Sequence, residues 1–268
     1  MNLDDYRERA ETFVAEISRE YYNHFAGLKA DLEIESIYER HSSLFMRAAV
    51  EDLRALAQAA PAGDEARRLR ALLDFCVEGH LGEATKSADA ELARREAEVR
   101  IEVDGESIGF RESDMAQANE PDGERRARIE AARLHVVETE LNPLRREAIE
   151  QTQALAVELG WSSYREMCEQ LKGIDLAALE RQTNAFTAAT EDRYADVLDP
   201  ELRRTVGVSL AELRRSDLPW FFRAIEADDQ FPADRLVASF TDTLAALGID
   251  PTAQRNVVLD VDPRPNKS

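Results

Sequence analysis

Gly105-Glu106-Ser107-Ile108-Gly109 has the Gly-x-Ser-x-Gly spacing that presents a nucleophilic hydroxyl in serine hydrolases. That chemistry needs a sharp strand-to-helix turn above a parallel sheet. Here Ser107 falls in the return arm of a hairpin, in a chain without alternating strand and helix patterns, so no serine nucleophile is expected. Metal catalysis fails on spacing. His-Glu-x-x-His places two imidazoles one helical turn apart, with the Glu beside them as base. The 4 histidines, His24, His41, His80 and His135, are followed by Phe25, Ser42, Leu81 and Val136, so none opens that motif. The di-iron spacing, Glu three residues before His, also fails, because Tyr21, Tyr38, Val77 and Ala132 occupy those positions. Glu20 with His24, and His135 with Glu138, share helix faces, a spacing that reads as local hydrogen bonding. Cys76 and Cys168 lie far apart without ligand spacing, and there is no Gly-rich phosphate loop. The chain therefore offers no catalytic and no metal residue, and no substrate-binding residue can be named. Trp220-Phe221-Phe222 is the densest aromatic cluster, readable as a core anchor at a helix start or as a substrate-lining wall.

The elements around these residues are overwhelmingly helical in pattern. Tyr6, Ala10, Phe13, Val14, Ile17, Tyr21 and Phe25 recur at three- and four-residue steps, ending at Gly27. Leu32, Ile34, Ile37 and Tyr38 suggest a second helix, Leu44 to Leu56 a third, and Pro61-Ala62-Gly63-Asp64 a loop. From Glu65 to Leu92 one long helix is expected, interrupted near Gly79 and Gly82. Asp104-Gly105 between Val99–Val103 and Glu106–Phe110 is a tight-turn signal between alternating runs, hence a hairpin that should lie against helices. Pro121 suits the first turn of the next helix, Asn142-Pro143 a kink, and Gly160 a stop. Ser163 with Glu166, and Ser209 with Glu212, have capping-box spacing, and Asp175 is a further cap. A last helix should run from Pro232 through Leu236, Phe240 and Leu244 to Gly248. Asn256-Val257-Val258-Leu259-Asp260-Val261 is β-rich and is expected to form a C-terminal strand.

Composition narrows the function class. The 268 residues, 44% hydrophobic and 33% charged, suit a helical domain with a sizeable core. A net charge of −20 disfavours phosphate backbones and anionic lipid surfaces, so neither nucleic acid nor membrane is expected as a partner. The acidic start without a secretion signal, and two cysteines read as reduced thiols, point to a cytoplasmic protein.

Two stretches carry a family resemblance. Val103-Asp104-Gly105-Glu106-Ser107-Ile108-Gly109-Phe110-Arg111, followed by Asn119-Glu120-Pro121-Asp122-Gly123-Glu124-Arg125-Arg126, resembles the hairpin and next helix start of zinc metallopeptidases of the thimet oligopeptidase and oligoendopeptidase F type. Leu247-Gly248-Ile249-Asp250 and the run from Val258 to Ser268 resemble the stretch upstream of that family's catalytic region, and Asp217-Leu218-Pro219-Trp220-Phe221-Phe222 fits a bacterial branch. The chain departs from the pattern at Gly123, where a more basic Asp-Arg-Glu-type sequence is the family form. The resemblance implies a mainly α fold: an elongated multi-helix array with one inserted β-hairpin and a C-terminal β-strand. It further implies one helical region over 1–268, divisible into 1–120 with the hairpin and 121–268 leading toward catalysis. The whole family member would hydrolyse short peptides with a zinc-bound water, its ligands coming from His-Glu-x-x-His plus a later Glu. None of those positions exists here. The expectation is the N-terminal, non-catalytic portion of such an enzyme, inactive alone, with no cofactor in this chain and its partners being short peptides and a catalytic region elsewhere. The alternative is a stand-alone helical peptide-binding or scaffold protein.

Overall fold

The computed structural model describes residues 1–253, 257–264 and 267, and the fold is mainly α with one small antiparallel sheet. Helix α1 (Leu3–Phe25) opens on Asn2, whose side chain accepts from the Asp4 and Asp5 amides while both carboxylates sit at the positive end of the helix dipole. Its buried stripe is narrower than the sequence suggests: Tyr6, Ala10 and Phe13 are buried, whereas Val14, Tyr21 and Phe25 remain exposed. Next come α2 (Ile34–His41), α3 (Arg47–Ala59) and α4 (Asp64–Glu98).

Helix α4 runs unbroken through Gly79 and Gly82, where an interruption was expected. The glycines serve close packing instead. A Cβ at Gly79 would overlap the Phe45 ring, and one at Gly82 would overlap the Tyr38 hydroxyl. Phe45 is thereby driven into the centre of the main core, edge-on to Phe13 with ring centroids 4.7 Å apart. Leu44, Val50, Leu53, Cys76 and Val77 are fully buried around it. Each large apolar side chain so placed stabilises the fold by about 1.5–3 kcal/mol.

Strands β1 (Arg100–Val103) and β2 (Glu106–Gly109) pair in the register Val103↔Glu106 to Arg100↔Gly109. Asp104 and Gly105 both take positive φ, 55° and 84°, the geometry that the Asp-Gly pair announces. After α5 (Ser113–Ala118), helix α6 (Gly123–Val136) covers the inward face of the hairpin, so Ile101 and Val103 form a second core with Phe110, Ile129 and Leu141. Helix α6 starts beyond Pro121, because the Asp122 carboxylate caps the Glu124 amide at 3.0 Å. At Asn142-Pro143 the helix widens into a π-helical turn, Val137–Leu141, before α7 (Asn142–Glu158). Helix α8 (Tyr164–Lys172) is capped by Ser163, whose hydroxyl accepts from the Glu166 amide at 3.1 Å.

Helix α9 (Leu176–Thr205) starts at the Asp175 cap, and α10 (Leu218–Arg223) and α11 (Leu236–Ala246) follow. Ser209 and Glu212 do bond each other, the Ser209 amide donating to the carboxylate at 3.0 Å, yet they close a turn and begin no helix. The expected C-terminal strand is a correction. Asn256 lies outside the described residues, and Val257–Val261 has no regular structure and pairs with no strand among the described residues. β-Propensity needs an edge to pair with, and the only sheet described is the hairpin. The segment is tied to α1 by side chains instead: the Tyr22 hydroxyl donates to Asp260 at 3.0 Å, and Arg264 donates to the Ala26 carbonyl at 3.2 Å.

Candidate functional site

Arg125, Arg126 and Arg128 fall among the first six residues of α6, and their directions differ because a helix turns about 100° per residue. Arg128 reaches the hairpin turn, where it grips both Asp104 oxygens at 2.8 and 2.9 Å. That bidentate contact holds the exposed Asp104 carboxyl below the usual carboxylate range. Arg125 extends to Glu106 at 2.5 Å and to Glu120 at 3.0 Å. Arg126 points inward. It is 3% exposed, and its Nε and Nη2 donate to Asp217 Oδ1 at 3.1 and 2.7 Å. Its Nη1 donates to the carbonyls of Glu120 and Pro121, both at 2.9 Å.

A buried charge pair holds together only when its remaining donors and acceptors are satisfied. Asp217 meets that condition on its other oxygen, which accepts the Arg214 amide at 3.2 Å. The Gln117 side-chain amide donates to the Ser216 carbonyl at 3.1 Å, anchoring the same turn to α5. Gly123 belongs to this arrangement. A Cβ there would sit 3.2 Å from Arg126 Nη2, so the missing side chain leaves room for the guanidinium. Gly123 thus has a local packing role.

This junction sets the aromatic cluster. Trp220 is half-buried under the Arg126 guanidinium, 5.5 Å from its ring centroid, and its indole N–H donates to the Thr205 carbonyl at 3.2 Å. Phe221 and Phe222 meet edge-to-face at 5.2 Å, and Phe222 is 69% exposed. The cluster is therefore an anchor at Trp220 and an open apolar surface at Phe222. Arg126–Asp217 is the contact that the sequence reading missed. Its signal was weak: an Arg and an Asp 91 positions apart, both in charge-rich stretches.

The remaining candidates sit apart from one another. Ser107 is exposed on β2 opposite Glu102, and its hydroxyl accepts from Arg100 Nε at 3.0 Å. His24 is buried with its Nε2 accepting from Arg111 at 2.7 Å, and burial followed by the Arg111 charge lowers its pKa. Glu20 faces Lys29 at 2.7 Å and the Glu33 amide at 2.6 Å. His41 faces Glu16 at 3.4 Å, His80 Nδ1 lies 2.7 Å from the Phe45 carbonyl, and His135 is exposed. Cys76 is buried in the main core, its thiol pushed up to about 11 by burial. Among the described residues no three His, Cys, Asp or Glu side chains come together as a metal-holding group, and no described helix is long and apolar enough to cross a membrane. Comparison with family models, with curated proteins and with solved structures finds no match to this chain.

Proposed function

We propose that this chain is the non-catalytic helical portion of a zinc metallopeptidase of the thimet oligopeptidase and oligoendopeptidase F type, forming one wall of a channel for short peptides. The observation that carries the reading is the Arg126–Asp217 junction. It joins two segments that bear the resemblance, the hairpin with the α6 start and the stretch Asp217 to Phe222, into one connected unit. Segments distant in sequence that carry one family's pattern, and that also depend on each other for burial of charge, support a common origin more than either does alone. The apolar surface left open on α11 and at Phe222 supports a further region packing there.

Among the described residues no group of histidines, cysteines and carboxylates comes together to hold zinc. Three of the histidines are engaged by Arg111, Glu16 and the Phe45 carbonyl, and the fourth stands alone on α6. No hydrolytic step is assigned to this chain. Its part in the reading is to hold and orient peptide. The test is to translate the gene beyond Ser268 and search roughly the next one hundred residues for His-Glu-x-x-His on a helical pattern. Its presence is the expected result. Its absence, or zinc-dependent cleavage of a quenched peptide by this chain alone, defeats the reading.

A further inference from the structure

A cleft of about 390 Å³ opens over α4, between α1 and α2 on one side and α7 and α8 on the other. Four helices each bring one ring to it: Phe13, Tyr38, Phe75 and Tyr164. Three of the rings pack edge-to-face, Phe13 to Tyr38 at 5.2 Å and Phe13 to Phe75 at 6.1 Å, with Phe13 itself buried, while Tyr164 is 37% exposed. Gly79 and Gly82 lie on the α4 backbone beneath the cleft, where the Phe45 ring and the Tyr38 hydroxyl occupy the space of their missing side chains. Glu78 adds a carboxylate, and no Lys or Arg lines the space.

The charges around it have one sign in excess. Glu78, Glu83 and Asp89 all act on the Tyr38 hydroxyl, which burial above all pushes up to about 12. The two nearby cations are already engaged. Lys86 is 2.8 Å from Glu83, and Lys172 is shared between Asp74 at 2.8 Å and Glu78 at 3.1 Å. Asp89, one turn beyond the cleft, accepts from the Thr85 hydroxyl at 3.0 Å and forms no ion pair among the described residues. Aromatic faces carry negative charge density, and a cation set among them is attracted most where water is partly excluded.

We propose that this cleft binds a compact organic cation, an alkylammonium or guanidinium group, beside the lining rings of Tyr38, Phe75 and Tyr164 and with Glu78, which it would share with Lys172, as its carboxylate. The site stands on its own geometry and does not depend on the peptidase reading. A free quaternary amine and a basic peptide side chain share the required chemistry.

Saturation-transfer NMR on the full chain tests it, with choline, its uncharged isostere 3,3-dimethylbutan-1-ol, and Nα-acetyl-lysine amide as probes. A charged probe should bind at least about fivefold more tightly than the uncharged alcohol. The tighter of choline and the lysine derivative identifies the source of the cation. Glu78→Gln and Tyr164→Ala should each weaken binding about fivefold with unchanged circular dichroism, since both side chains are substantially exposed. Equal binding of the alcohol overturns the proposal, as does no binding by either charged probe, or variants that bind like the parent. The isostere arm decides the matter even if a variant fails to fold.

Discussion

Residues 1–172 and residues 173–253 have similar apolar patterns and opposite burial. In the first stretch Phe45, Leu44, Val50, Leu53, Val77 and Met167 are 0–2% exposed, packed between α1, α3, α4, α7 and α8. In the second, Leu202 is the sole fully buried hydrophobic among the described residues, while Phe186, Leu236 and Leu247 are 70%, 67% and 68% exposed. Helical periodicity fixes which side chains share a face, but a face becomes a core only when a second element meets it. Helix α4 is met from several sides, with Gly79 and Gly82 admitting aromatic rings against its backbone. Helix α9, 30 residues long, buries Leu202 alone among its described residues, and α11 buries none.

The largest expected effect lies in the packed stretch. Phe45→Ala would empty the space at the centre of the main core, leaving Phe13, Tyr38 and Phe75 without their common neighbour. Urea denaturation should show a loss of about 3–5 kcal/mol. A loss below about 1 kcal/mol would mean that the rings close the gap and that the two stretches differ less than their burial implies.

Second comes the charge pair that fastens the open stretch to the packed one. Asp217→Ala leaves the Arg126 guanidinium, 3% exposed, without its counter-charge, at a cost of about 3 kcal/mol. Arg126→Met with Asp217→Leu removes both charges and should recover most of that loss in the same denaturation measurement. If the double variant is as unstable as Asp217→Ala, the junction works through shape and not through charge.

Much of this was legible in the residues. Asp104-Gly105 announced the hairpin, Asp175 and Ser163 announced caps, and the long α4 pattern from Leu69 to Leu92 was read as helix. The errors share one cause. Gly79-x-x-Gly82 looked like a break because glycine weakens an isolated helix, whereas tertiary packing used the missing side chains. Val257–Val261 looked like a strand because its residues favour one, yet a strand is a property of two segments. The charge junction was hidden for the same reason. Nothing local in Arg126 or Asp217 says that they meet, and Gly123 became informative only once they had.

The smallest effect on folding should come from α11, and it probes the comparison from its other side. Leu236-Val237-Ala238-Ser239-Phe240 is as apolar as a core segment, but Leu236 is 67% and Phe240 43% exposed. Replacing an exposed side chain removes few contacts, so Leu236→Ser with Phe240→Ser should change unfolding free energy by less than about 0.5 kcal/mol per site. Exposed contiguous apolar surface nevertheless binds hydrophobic dyes and partners. The double variant should therefore lower anilinonaphthalene sulfonate fluorescence without moving the melting transition. A large loss of stability would show that α11 is packed in solution, and the contrast between the two stretches would then disappear.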